Sequence, residues 1–124
     1  MRPLIKTIVI LTGFLLFSPT SYAATGDGNS LLAACVEAEK FMDNNKVYDS
    51  ARLYHCFGMV EGVHGTMAIL VSEGPHRACF PKGGITTGQS ARIVLAYLRK
   101  NPARLHEVDV LLTIDAYMDA YPCE

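Results

Sequence analysis

Residues 49–72, DSARLYHCFGMVEGVHGTMAILVS, decide the fold. Leu53, Cys56, Val60, Val63, Met67 and Leu70 recur at intervals of three and four, the spacing of one face of a long helix. Glu73-Gly74-Pro75 ends the pattern with a turn composition. Gly58, Gly62 and Gly65 form a second stripe on the same helix. Three glycines lower helix propensity by about 2 to 3 kcal/mol relative to alanine, so the stripe signals close approach by another helix or a partner chain. The alternative is two shorter helices broken at the glycines.

The helical period continues on either side. Leu31, Leu32, Cys35, Ala38 and Met42 predict a first helix, capped by Asn29 or Ser30 and closed by the turn Asp43-Asn44-Asn45-Lys46. Glu37, Lys40 and Asp43 fall off its apolar face. Residues 74–85 carry no period and read as a loop, with Cys79 in its middle. Thr86-Thr87-Gly88-Gln89 reads as a capping box. It opens a third helix over Thr87 to Lys100, with Ile93, Val94, Tyr97 and Leu98 inward and Arg92, Arg99 and Lys100 outward. Asn101 as cap and Pro102 at the first helical position predict a fourth helix to about Ala120, closed by Pro122. No β-alternation of useful length occurs, so the expected fold is all-α, a four-helix domain made of two helical hairpins.

Residues 1–23 stand apart. Arg2 and Lys6 precede an apolar run from Thr7 to Phe17, and Ser21-Tyr22-Ala23 has the small-x-small pattern of a secretory cleavage site. The run is too short to span a bilayer. The expectation is a cleaved signal peptide over 1–23, an exported domain over 24–124, and no membrane association after cleavage. Removing Arg2 and Lys6 leaves 9 of the 11 basic residues against all 12 acidic ones, a net charge of −3. That balance gives no basic surplus for nucleic acid.

Four cysteines in an exported chain of this size are read first as disulfides. Residues equidistant from the turn of an antiparallel hairpin lie at the same height. Cys35 and Cys56 are equidistant from the Asn44-Asn45-Lys46 turn, and Cys79 and Cys123 from Asn101. The expected bridges are therefore Cys35 with Cys56 and Cys79 with Cys123, one clamp per hairpin.

Little in the sequence suggests catalysis. His55 adjoins Cys56, but adjacent helical positions point about 100° apart, and an exported cysteine with a partner is oxidised. His55, His64, His76 and His106 are scattered over several elements, with no C-x-x-C or H-x-x-x-H for zinc. Glu61, Asp109, Asp115 and Asp119 can face one another across helices two and four, but such acids usually form a solvated face. No catalytic residue, metal or cofactor is expected, and a binding role is.

The segments Gly28-Asn29-Ser30-Leu31-Leu32 with Cys35, Cys56-Phe57-Gly58-Met59-Val60-Glu61-Gly62-Val63, Cys79-Phe80-Pro81, Ile85-Thr86-Thr87-Gly88-Gln89, Tyr97-Leu98 to Asn101-Pro102, Leu105-His106 and Ala120-Tyr121-Pro122-Cys123 follow one another in an order that resembles the amidase immunity family of type VI secretion, the Tai-like and resistance-associated immunity proteins. Met59 and His64-Gly65 depart from the aromatic and acidic residues usual there. The resemblance implies a small helical periplasmic protein, typically dimeric. It binds and blocks a peptidoglycan amidase effector, a papain-like cysteine hydrolase, and does no chemistry itself.

The loop from Glu73 to Gly84 is the candidate partner-binding element. It is long, carries Glu73, His76, Arg77, Phe80 and Lys82, and is fixed at its base by Cys79. Packing of the loop on its own domain is the other reading. The glycine stripe on helix two offers a second candidate surface, for a homodimer. The competing function is a small periplasmic stress or chaperone-like binding protein without a cognate effector.

Overall fold

The computed structural model describes residues 26–70 and 73–124, and the expected signal peptide lies outside them. The first helix, α1 (Gly28–Asn44), begins on a capping box. Asp27 Oδ1 accepts from the Ser30 amide at 2.9 Å, and Ser30 Oγ accepts from the Asp27 amide at 3.2 Å. The cap is thus Asp27 and not Asn29 or Ser30; Ser30 is the return partner of the box. Asn45 closes α1 in the left-handed region at φ 57°, a conformation asparagine tolerates.

A short connection leads to α2 (Ser50–Leu70), and its backbone is satisfied from α1. Glu37 Oε1 accepts from the amides of Tyr48 at 2.8 Å and Asp49 at 3.0 Å. Glu37 is only 4% exposed, although the apolar period places it off the buried face. Burying a carboxylate requires such donors. In α2, Leu53, Cys56, Val60 and Met67 are buried as their spacing predicts, and the helix runs unbroken past its glycines.

Two helices complete the second hairpin. α3 (Thr87–Lys100) starts on the expected box of Thr86 and Gln89, and Arg99 and Lys100 occupy its last turn. Its buried face is Ser90, Ala91, Val94, Leu95 and Leu98, so Ile93 and Tyr97 sit at the edge of the core. Pro102 opens only a three-residue 3₁₀ turn, Pro102–Arg104, and α4 spans Asp109–Ala120. The fourth helix therefore begins well after the proline. The carbonyls of Leu105 and Glu107 accept from the amides of Asn29 and Gly28, each at 3.0 Å, and Asp109 N donates to Gly26 O at 3.1 Å. Asp27 also forms an isolated antiparallel bridge with Val108. These bonds tie the turn at residues 105–107 and the extended Val108 to the start of α1, and the helix resumes only at Asp109.

Among the described residues the architecture is all-α, four helices in two hairpins. α1 packs against α2 and α3, while α4 packs against α3 and α2. Leu31, Cys35, Cys56, Val60, Leu98, Leu112 and Tyr117 meet in one fully buried core. Each buried leucine contributes roughly 2 kcal/mol by removal from water. The bridges are Cys35–Cys56 and Cys79–Cys123, with Cα separations of 5.0 and 5.1 Å, as the equidistance argument predicts. Arg92 pairs with Asp43 and Arg99 with both oxygens of Glu39, tying α3 to α1 across the surface.

Gly58, Gly62 and Gly65 face outward. A Cβ built at any of them meets nothing within 4 Å. No helix among the described residues uses the space they leave.

Candidate functional site

The segment between α2 and α3 is anchored at two points. Cys79 bonds to Cys123, and its amide donates to Tyr121 O at 2.8 Å, so the middle of the loop is held to the chain after α4. Phe80 turns inward. Its ring lies edge-on to His64 at 4.5 Å and to Tyr117 at 5.4 Å, and 5.4 Å from Tyr121. Edge-to-face aromatic contacts of this kind each add about 0.5 to 1.5 kcal/mol beyond area burial. The cluster rests on Tyr117, whose hydroxyl donates to Val60 O at 2.8 Å. Burial pushes the Tyr117 phenol up to about 12. Gly74 and Gly84, at φ 97° and 72°, supply the left-handed turns near either end of the loop.

Between the loop and α2 lies an open cleft of about 480 Å³. His64, Met67, Arg77, Phe80, Lys82 and Gly84 contribute to its walls. Of the predicted partner-binding residues, the structure brings Arg77, Phe80 and Lys82 to this one cleft. Glu73 is exposed and lines none of it. His76 belongs instead to a smaller apolar groove of about 190 Å³ between α2 and α4, with Val63, Val110 and Ile114. His64, Tyr117 and Tyr121 support the site, and the sequence alone does not place them there. Their pairing with Phe80 depends on where the disulfide draws the loop.

Catalytic groupings do not converge. All four cysteines are in disulfides. His55 Nε2 lies 3.8 Å from the buried Asp109, but its neighbour Cys56 is locked to Cys35. Glu61 accepts from Thr87 at the start of α3, and Asp115 pairs with Arg104 at 2.7 Å, so these acids do not face one another across α2 and α4. Among the described residues no group of three or more His, Cys, Asp or Glu is placed to hold a metal ion. None of their helices is long and apolar enough to cross a membrane.

What the arrangement provides is a stiffened edge with a concave, cationic and aromatic face. Comparison with curated proteins and with solved structures gives no match. The family model described as Rap1a immunity proteins matches residues 27–123, which include the Asp27 cap, both disulfides and the whole loop. The chain belongs to the Rap1a immunity protein family.

Proposed function

We propose that the protein is a periplasmic immunity protein that binds and inhibits a peptidoglycan amidase effector delivered by type VI secretion. The observation that carries this reading is the loop bearing Arg77 and Lys82, held at Cys79 and Phe80 before any partner arrives. A pre-ordered loop loses less conformational freedom on binding, so more of its contact energy appears as affinity. Inhibition by such an edge is steric, through coverage of the effector's catalytic cleft. Two disulfides suit an oxidising compartment, consistent with export through residues 1–23. The outward glycines, flanked by Tyr54 at 71% exposure and Ile69 at 78%, suit a second copy packed along α2.

The test is co-purification and inhibition with the secreted Cys/His amidases encoded in the same and sister strains. A stable complex that abolishes peptidoglycan cleavage supports the proposal. Failure to bind or inhibit any of them removes it and favours a stress-related binding role. For the homodimer, sedimentation should show a dimer that Gly62→Leu disrupts without loss of helicity, since the added side chain enters open space in the monomer.

A further inference from the structure

Arginine pairing singles out one position. Arg52 lies 3.4 Å from Asp49, Arg92 2.7 Å from Asp43, Arg99 2.7 Å from Glu39, and Arg104 2.6 Å from Glu107. Arg77 is the one arginine among the described residues with no carboxylate at ion-pair distance. All 12 Asp and Glu lie among those residues. Arg77 is nonetheless half-buried, on the wall of the cleft that Lys82 and His64 share. No acidic residue lines that cleft, although the chain as a whole has a net charge of −1.

Arg77 also borders a second depression with Met118 and Cys123, and its guanidinium can reach, from the cleft, a carboxylate whose two oxygens match its planar donors. Beside it, Phe80 and Met67 form an apolar wall. Such surroundings lower the local dielectric and strengthen an ion pair relative to one on open surface. The volume admits a few side chains.

We infer that this cleft receives an acidic segment of the protein partner, with a carboxylate on Arg77 and an adjacent apolar or aromatic side chain against Phe80 and Met67. The inference rests on the reading of the loop as the partner-binding edge and specifies the chemistry of what it binds.

The test begins with a random-peptide phage library selected on the oxidised protein. Selected sequences should be enriched in Asp and Glu beside an apolar or aromatic residue. A synthetic peptide of that consensus should shift the amide signals of His64, Arg77, Ala78 and Lys82 in NMR titration. Its affinity should fall at least about tenfold in Arg77→Gln and further in Arg77→Glu, because a charge-assisted hydrogen bond is lost. It should be unchanged in Lys100→Glu, at the far end of α3. Circular dichroism of each variant confirms the fold. An empty selection, a neutral or basic consensus, or an acidic peptide that Arg77→Glu still binds would overturn the inference. The amidase proposal fails separately. An effector inhibited equally by wild type and Arg77→Glu leaves immunity standing and removes the acidic docking site. Acidic peptides bound at Arg77 with no amidase inhibited does the reverse.

Discussion

Replacing both cysteines of one bridge with alanine sets chain entropy against core packing. The bridges join residues 21 and 44 apart. Loop closure in the unfolded chain then assigns about 3.3 kcal/mol to Cys35–Cys56 and about 4.0 kcal/mol to Cys79–Cys123. On entropy alone the longer loop is the more costly to lose. Burial reverses the order. Cys35 and Cys56 are both 0% exposed, so alanine there leaves two sulfur-sized voids in a closed core, adding about 1 kcal/mol each. Cys79 is exposed and Cys123 half-buried, so little cavity forms. The Cys35→Ala/Cys56→Ala protein should therefore be the less stable by about 1 kcal/mol. For a domain of this size that corresponds to a melting temperature lower by about 4 to 8 °C. Calorimetry on the two double variants measures the difference. An equal or lower melting temperature for Cys79→Ala/Cys123→Ala would refute the packing argument. Dithiothreitol with pulsed alkylation gives an independent check. Cys79 and Cys123 should be labelled while the helical signal persists, and Cys35 and Cys56 only on unfolding.

Three other changes are predicted. In Gly28→Ala the new Cβ would clash with Leu112 Cδ1 and lie 2.9 Å from the Leu105 backbone, so thermal unfolding should show a loss of about 1 to 3 kcal/mol. In Tyr117→Phe, loss of the buried bond to Val60 O should lower stability by about 1 kcal/mol in urea titration. The unfolded phenol ionises near 10.0 and the folded one near 12, so wild-type stability should also fall between those pH values and less so in the variant. For Glu37, burial opposes ionisation, but the Tyr48 and Asp49 amides and Lys40 outweigh it and hold the carboxyl below 4.5. Its contribution is therefore present above pH 4.5 and lost as pH falls through the folded value, and Glu37→Gln should flatten the acid limb of a urea-midpoint profile.

The parts of the fold legible in the sequence are those that local chemistry determines. Thr86 and Gln89 carry their capping box within four residues, and the cysteines report hairpin geometry because equidistance from a turn is a property of the chain itself. The misreadings have tertiary causes. Pro102 has the right signature for a helix start, yet Gly28 and Asn29, far away in the chain, capture the carbonyls of Glu107 and Leu105. Glu37 is polar by type and buried because two turn amides need an acceptor. At the candidate site, the loop and its cationic residues are visible as a break in periodicity. The inward turn of Phe80 onto Tyr117 is not, since it depends on which residues the Cys79–Cys123 bridge draws together.

The stitching of Gly26, Asp27, Gly28 and Asn29 to residues 105–109 governs the order in which the domain can assemble. A chain emerging N-terminus first can form α1, α2 and the Cys35–Cys56 bridge early, from contacts close in sequence. The edge of α1 that these residues define must wait, its donors unpaired, until nearly the whole polypeptide is available. Residues 26–29 and α4 thus close on each other across most of the domain's sequence, as do Cys79 and Cys123, 44 residues apart. A chain cut before Cys123 would lack the second clamp, so the hold on the loop at Cys79 depends on residues beyond the end of α4.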